Sequence, residues 1–362
     1  MPRQGRPPTS RGARRVVFFI ADGMGPAHRT AARLVRGTPL AMERLPVAGL
    51  VHTASANSVI TDSAASATAY ACGVKTNNGM VGVDAAGRPV PTILEQAQRR
   101  GLAVGLVTTT QVTHATVAAF ASHVGDRQDM EAIALQYLEG GLDVVLGGGE
   151  DWFIPQEQLG RHRLPGHRTD GKDLIRKASL MGYTCVGDGE ALQALDGRQV
   201  RRLLGLFSDE GMVRPFLPTL AEMTAKALQV VAQNPRGFFL VVEGGQIDWA
   251  SHDNDAVNAI GDTLGFDEAV AVGLAFAREH PETLLVVTSD HETGGLVVCP
   301  PSSDDAPEFA TPDGRPFAVA WTLKGHSAVD IPIAAQGPGA ELLAGALDNT
   351  RVYHALRAAL LE

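Results

Sequence analysis

The sequence has few cysteines and no long hydrophobic run. Its three cysteines, Cys72, Cys185 and Cys299, lie far apart without Cys-x-x-Cys spacing, which excludes a thiolate metal cluster and allows at most one disulfide. No segment approaches the roughly 18 apolar residues of a transmembrane helix, so we expect no membrane span. The apolar run after the arginine-rich N-terminus, Val16 to Ala21, is also too short for the core of a signal peptide.

An excess of basic residues is also absent. Lys and Arg number 31 against 40 Asp and Glu, a net charge of −9, whereas a broad nucleic-acid-binding face requires clustered basic side chains. We therefore expect no nucleic-acid-binding face, although a small phosphate ligand needs only one arginine and metal ions. At 362 residues with 44% hydrophobic and 20% charged residues, the composition is typical of a globular chain.

Short apolar runs that end in polar or glycine-rich turns predict buried parallel strands. These runs are Arg15–Ile20, Leu102–Thr108, Asp143–Leu146, Gly237–Val242 and Thr283–Thr288. Capping-box patterns at Thr92-x-x-Glu95 and Thr219-x-x-Glu222 predict helix starts between them. The alternation predicts an α/β fold with a doubly wound, mostly parallel central sheet and helices on both faces.

The domain organisation follows from where this alternation weakens. We expect a flexible basic tail over residues 1–14 and a single domain over residues 15–362. Within that domain, residues 147–218 and 300–324 are richer in Pro, Gly and charges, so they are candidate insertions or loops.

Two motifs place reactive groups at a strand end and at a helix start. Asp22, in Asp-Gly-Met-Gly, follows the first predicted strand, where ligands of α/β sheets bind. Asp62 and Ser63 precede a run of small residues, so Ser63 lies at a helix N-terminus, where unpaired N–H groups favour an anion. The same residues are equally typical of an ordinary N-cap.

The segment after Gly237–Val242 has the most specific spacing. It begins at Glu243 and contains Asp248 and His252, which lie one turn apart if a helix begins at Asp248. Two side chains at that spacing can hold one metal ion, and Glu243 can reach a neighbouring ion. The alternative is a solvated loop.

Further candidate ligands follow the last predicted strand. Asp290 and His291 come directly after Thr283–Thr288, and as adjacent residues they can bind one ion only within a turn. His326 lies in a Lys-Gly-His-Ser segment that by itself is typical of a surface loop.

Taken in order, these motifs resemble those of the alkaline phosphatases. The matching segments are Asp-Gly-Met-Gly, Thr-Asp-Ser-Ala-Ala-Ser-Ala-Thr-Ala, Glu-Gly-x-x-Ile-Asp-x-x-x-His, Asp-His-Glu-Thr-Gly-Gly and a late Gly-His, spread from about Val16 to Gly339. The resemblance implies hydrolysis of small-molecule phosphate monoesters to alcohol and inorganic phosphate, at neutral to alkaline pH, through a phosphoserine on Ser63. It also implies a homodimer in the periplasm or outside the cell, although the chain shows no signal peptide.

The resemblance assigns roles to the individual residues. Arg127 grips two phosphate oxygens, and three groups hold the metal ions: Asp248, His252 and His326 for one zinc ion, Asp22, Asp290 and His291 for a second, and Asp22, Glu243 and Thr116 for magnesium. These are donors that zinc and magnesium prefer.

Two positions depart from the best-known bacterial pattern of that family. His114 replaces an aspartate and Trp249 replaces a lysine, both beside the third metal site. The nitrogen of His114 could favour zinc or cobalt over magnesium, or the ring could act indirectly, as we also expect of Asp62. Losing the lysine charge at Trp249 should weaken the hold on phosphate.

Other functions remain as alternatives. A phosphodiesterase or sulfatase of the same superfamily would share the metal ligands, but the first usually has a threonine nucleophile and no counterpart of Arg127. The second needs a modified cysteine in Cys-x-Pro-x-Arg, which is absent around Ser63. A non-catalytic metal- or phosphate-binding protein would be expected to have a broken ligand or nucleophile, and each motif position holds a competent residue.

Overall fold

The centre of the fold is a ten-stranded sheet, seen in a computed structural model that describes residues 12–301 and 308–361. The strands β1 to β15 are, in chain order, Arg15–Ile20, Val47–His52, Ala103–Gln111, Val144–Gly148, Thr184–Val186, Leu203–Leu206, Phe238–Glu243, Thr283–Thr288, Glu292–Thr293, Leu296–Cys299, Glu308–Ala310, Pro316–Trp321, His326–Ser327, Ile331–Gln336 and Gly345–Asp348. The helices α1 to α11 are Pro26–Arg36, Ser63–Cys72, Ile93–Arg99, Ala115–Ala118, Met130–Gly140, Leu174–Leu180, Gly189–Ala194, Leu220–Val231, Gln246–His252, Ala256–Glu279 and Asn349–Leu361.

The large sheet has the strand order β15-β2-β14-β8-β1-β7-β3-β4-β6-β5. Every neighbouring pair is parallel except those of β14, which runs antiparallel to β2 and β8. The predicted α/β fold with a mostly parallel sheet is therefore confirmed. The predicted capping boxes also form, at the starts of α3 and α8.

Two of the five predicted strands, β1 and β8, have the predicted bounds, and the other three are shifted. The prediction Leu102–Thr108 corresponds to β3, which continues through polar residues because Gln111 still pairs with Gly148 of β4. A strand ends where its backbone pairing ends, whereas the sequence shows only where the hydrophobic side chains end. The prediction Asp143–Leu146 corresponds to β4, Val144–Gly148, and the prediction Gly237–Val242 corresponds to β7, Phe238–Glu243.

Helices cover both faces of the sheet, as predicted. In β1, Val16 and Phe18 belong to one buried cluster, with side chains of α2, α3, α5 and α11. Val17 and Phe19 belong to the other, with side chains of α1, α8 and α10. Because neighbouring residues of a strand point to opposite faces, the unbroken apolar run of β1 packs against both helical layers.

The candidate insertions differ from each other in the structure. Residues 147–218 contain β5 and β6, which lengthen the large sheet, so this segment is not an insertion throughout. These strands have only three and four residues, too few for a clear periodic signal. Residues 300–324 contribute β11 and β12, which form a separate three-stranded sheet with β10, and residues 302–307 lie outside the described part.

Of the predicted tail, residues 1–11 lie outside the described part of the chain. Ala13 is buried, and its N–H donates to the carbonyl of Ala359 in α11 at 2.7 Å. Within residues 12–301 and 308–361, no helix combines the length and the hydrophobicity needed to cross a bilayer.

Candidate active site

The candidate nucleophile lies at the first residue of α2. Ser63 is 1% exposed, and its Oγ lies 3.2 Å from Nε2 of His291. Asp62 is the N-cap, and its Oδ1 accepts the Ala65 N–H at 2.9 Å, so the helix begins where the sequence predicts. The hydroxyl is therefore at the positive end of the helix dipole, where a negatively charged oxygen is stabilised.

Asp62 also connects this helix to the candidate phosphate-binding arginine. Its second oxygen, Oδ2, accepts from Nη1 of Arg127 at 3.1 Å and from the Gly79 N–H at 2.9 Å. The Nη2 of Arg127 lies 3.0 Å from Nε2 of His114. The guanidinium is thus held on two sides beside the start of α2.

Asp248, His252 and His326 form the first candidate metal group. Their ligand atoms lie within 4.8 Å of one another, and the two histidine Nε2 atoms are 3.2 Å apart. Nδ1 of His326 faces the Thr61 carbonyl, and Nδ1 of His252 faces the Lys324 carbonyl. Because a carbonyl can only accept, Nδ1 carries the hydrogen in each neutral ring, and the Nε2 lone pairs point toward Asp248.

Asp22, Asp290 and His291 form the second group, and all three are fully buried. Nε2 of His291 lies 3.5 Å from Oδ1 of Asp22 and 3.2 Å from Oδ2 of Asp290. The other Asp290 oxygen accepts the N–H groups of Gly23 and His291, at 3.1 Å and 2.9 Å. Asp290 and His291 therefore do converge within a turn.

Asp22, His114 and Glu243 form the third group, which shares Asp22 with the second. The hydroxyl of Thr116 donates to Oδ2 of Asp22 at 3.1 Å, so this residue also lies beside the group. Oε2 of Glu243 accepts from the hydroxyls of Thr108 and Thr110.

The buried carboxylates of these groups repel one another, and a metal ion would offset that repulsion. Burial, followed by the neighbouring carboxylates, raises the pKa of Asp22 well above its usual range. Burial likewise raises the pKa of Asp290 to about 6 and that of Glu243 to about 7. Four buried atoms of the second and third groups have no hydrogen-bond partner among the described residues: Asp22 Oδ1, Asp290 Oδ2, Glu243 Oε1 and His114 Nδ1. The three carboxylate oxygens are buried acceptors left unpaired around like charges, and a cation would satisfy them.

Topology explains why these residues meet. Asp22, Glu243 and Asp290 lie at the carboxyl ends of β1, β7 and β8, which are neighbours in the sheet. Thr108 and Thr110 lie near the same end of β3, the next strand. Residues far apart in sequence are thus brought to one edge of a parallel sheet.

The helix that carries Asp248 begins earlier than expected. It starts at Gln246, so Asp248 is its third residue, but the one-turn separation from His252 is kept.

The glycine after Asp22 has a structural reason to be there. Gly23 has φ of 79°, and a Cβ would lie 2.7 Å from Cα of Asp248, so no other residue allows this close approach.

Sequence reasoning missed a threonine that orients two of the groups. The hydroxyl of Thr293 donates to Oδ1 of Asp248 at 2.5 Å and lies 3.2 Å from Nδ1 of His291. Since that hydroxyl hydrogen is already donated, the Thr293 oxygen accepts from His291, and the Nε2 lone pair of His291 faces Ser63. Thr293 stands inside the Asp-His-Glu-Thr-Gly-Gly motif, which was the available signal.

Trp249 and His114, the two departures predicted to matter, lie together. Their rings meet edge to face, with centroids 5.9 Å apart and planes at 80°. Burial and the nearby Arg127 charge lower the pKa of His114 to about 3, so the ring is neutral at physiological pH.

The chain is similar to known proteins over most of its length. The family model described as alkaline phosphatase matches residues 13–317. Alkaline phosphatase 4 of Bacillus subtilis is 32% identical, over 93% of this chain and 86% of that protein. The structure of an alkaline phosphatase from the Antarctic bacterium TAB5 is 30% identical, with a TM-score of 0.86, covering 97% of this chain and 99% of that one. A variant of that enzyme with aspartate in place of a histidine has magnesium bound in its M3 site; it has a TM-score of 0.83 and 30% identity over the same shares of the two chains.

Proposed function

The chain belongs to the alkaline phosphatase family and is a phosphomonoesterase, and from that premise we propose that it acts through a phosphoserine intermediate on Ser63. The observation that supports this most directly is the position of the Ser63 hydroxyl. It is buried at the N-terminus of α2, and its Oγ lies 3.2 Å from Nε2 of His291, a residue of the second group that could hold a metal ion.

We propose zinc ions for the first two groups of ligands. Asp248, His252 and His326 offer one carboxylate and two imidazoles, and Asp22, Asp290 and His291 offer two carboxylates and one imidazole. Both sets are nitrogen and oxygen donors that suit zinc and leave a position open. When bound, the ions supply positive charge that offsets the negative charge of a phosphate monoester.

The residues of the chain then have distinct tasks. Arg127 holds two nonbridging phosphate oxygens with its planar fork, and Asp62 keeps the guanidinium in place. Ser63 Oγ loses its proton and forms a bond to phosphorus as the bond to the leaving oxygen breaks, and that oxygen takes up a proton and departs as the alcohol. Water then attacks the phosphoserine and releases inorganic phosphate, and two in-line attacks leave the configuration at phosphorus unchanged.

For the third group we propose magnesium, or zinc or cobalt because of the His114 nitrogen. Replacing His114 with aspartate adds a hard oxygen donor where the structure has a neutral ring, so His114→Asp should lower the magnesium concentration for half-maximal activity about tenfold. Magnesium titration of the zinc-loaded enzyme measures this, and the magnesium-bound TAB5 variant supports the expectation. The exposed His354 gives the control, since His354→Asp should leave the titration unchanged. An unchanged titration in His114→Asp would count against a third metal site here.

Trp249 should set how tightly phosphate is held. Because a lysine at this position would add a charge-assisted contact to phosphate, Trp249→Lys should strengthen inhibition by inorganic phosphate about tenfold and slow product release. Inhibition constants measured at one pH test this. Trp249→Gln is the control, since it removes the ring without adding charge, and equal inhibition constants in the two variants would refute the electrostatic explanation.

Substrate class separates the proposal from its alternatives. Purified enzyme loaded with zinc and magnesium should hydrolyse an aryl phosphate monoester much faster than the matching diester or sulfate, from about pH 7 to about pH 10. A preference for the diester would favour a phosphodiesterase. Absence of turnover with any metal would favour a non-catalytic phosphate-binding protein.

We also propose that the enzyme is a homodimer that acts in the periplasm or outside the cell. Exposed apolar side chains on β2 and before Ser63, namely Leu50, Val59 and Ile60, support self-association. Light scattering on the purified protein tests the dimer, and cell fractionation tests the location.

A further inference from the structure

The segment 208–214 packs against the ring of Trp249, and the residue in contact is Gly211. If Gly211 carried a Cβ, that atom would lie 2.5 Å from both Cη2 and Cζ3 of the Trp249 ring. Separations below about 3.0 Å do not occur without a shift of one partner, so the indole occupies the space that any other side chain at position 211 would need. The φ of Gly211 is not in the left-handed region, so the glycine is required by this contact alone.

The segment 208–214 is fixed on the side of α9. Nε2 of Gln246 is buried and donates to the carbonyls of Met212, at 2.6 Å, and Thr109, at 2.7 Å. The Met212 N–H also donates to the Thr109 carbonyl, at 3.0 Å. Because these bonds tie the segment to both β3 and α9, it cannot retreat freely from the Trp249 ring.

Arg214 fixes the end of the segment. Its Nη2 donates to the carbonyl of Gln246 at 3.0 Å, and its guanidinium pairs with Asp262 of α10. At the other end, the Gly149 N–H lies within hydrogen-bond distance of the carbonyls of Ser208 and Glu210, at 3.0 Å and 2.8 Å. The position of Gly211 is therefore determined on both sides.

Trp249 connects the fixed position of Gly211 to the candidate phosphate-binding residue Arg127. Its ring meets that of His114 edge to face, and His114 lies 3.0 Å from the guanidinium of Arg127. We propose that Gly211 is a positioning residue for phosphate binding: it seats Trp249 so that the indole holds His114 against Arg127. This inference rests on the proposed function, because it takes Arg127 as the group that grips phosphate.

The variant Gly211→Ala tests the proposal. The added methyl group has to displace the indole, since the segment that carries it is held by Gln246 and Arg214. We expect the KM for an aryl phosphate and the inhibition constant of inorganic phosphate to rise about tenfold, with kcat changed by less than about twofold. A purely structural defect would instead lower the active fraction and leave both constants unchanged. Phosphate binding measured by calorimetry gives a readout that is independent of turnover.

Two further variants make the result specific. Gly261 lies on α10 with nothing within 4 Å of its would-be Cβ, so Gly261→Ala should leave both constants unchanged. Phenylalanine lacks the outer ring that carries Cη2 and Cζ3, so Trp249→Phe makes room for the methyl group. In the background of Trp249→Phe, Gly211→Ala should therefore have less than about a twofold effect on the phosphate inhibition constant.

The outcomes separate this inference from the proposed function. If the wild type hydrolyses monoesters and Gly211→Ala retains its phosphate inhibition constant, the positioning role is wrong while the proposed function stands. The positioning role is also wrong if Gly211→Ala has an equal effect with Trp249 and with phenylalanine at that position. If the wild type hydrolyses no monoester with any metal, the proposed function itself fails.

Discussion

Replacing Ser63 with alanine should reduce phosphomonoester hydrolysis by at least about a thousandfold. In the proposed mechanism the hydroxyl accepts the phosphoryl group, and alanine has no atom that can take its place. Alanine is compatible with the first position of α2, because the N-cap bond is made by Asp62 and not by Ser63. Steady-state kinetics with an aryl phosphate, at equal zinc content, measures the loss.

The control for Ser63→Ala is a serine with no link to the site. Ser179 is exposed on α6, where its hydroxyl donates to the carbonyl of Ile175, and Ser179→Ala should retain full activity. Ser63→Ala should still bind inorganic phosphate, since Arg127 and the proposed metal ligands are unchanged. Turnover within about tenfold of the wild type would mean that water attacks the substrate directly, without a phosphoserine.

Removing the metal ions should abolish activity and destabilise the fold. Four carboxylates, those of Asp22, Glu243, Asp248 and Asp290, are buried together, and without cations they repel one another. We expect a chelator to lower activity at least about a thousandfold and added zinc to restore it. Activity and melting temperature, recorded after chelation and after each metal is returned, test both expectations.

The stability effect should depend on pH in a definite direction. In the metal-free fold the pKa of Asp290 is about 6 and that of Glu243 about 7, above the values near 4 of unfolded carboxylates. The folded state therefore holds these protons more tightly, and the metal-free protein loses stability as pH rises from about 4, where the unfolded carboxylates ionise, to about 7, where Glu243 ionises in the fold. The stabilisation by zinc should grow over the same range. Ser63→Ala is the matched control, because it should show the same stabilisation without activity.

The sequence predicted the strands of this sheet well where they are long and apolar. β1 and β8 have their predicted bounds because their hydrophobic runs coincide with their pairing. The sequence did not predict β5 and β6, because strands of three and four residues are too short to show a periodic pattern. They are recognised as strands only by their pairing with neighbours in the sheet. Their membership in the sheet is a property of the whole fold.

The candidate site was predictable to the extent that its residues lie in motifs. Asp22, Asp248 and His291 could be proposed from local spacing and family resemblance, because each lies in a motif that follows a predicted strand. The position of Thr293 between two of the candidate metal groups could not be predicted, because it depends on how the turn after β8 packs against α9. The contact of Gly211 with Trp249 joins two segments that are distant in sequence, and only the folded chain shows it.

The central claim is that Ser63 carries the phosphoryl group during turnover. The most direct measurement is to mix the zinc-loaded enzyme with an aryl phosphate, quench in acid within the first turnover, and analyse the peptides by mass spectrometry. We expect one phosphoryl group on the peptide that contains Ser63, and none in Ser63→Ala or after chelation. A wild-type enzyme that turns over at the full rate while no phosphorylated peptide is found would contradict the account.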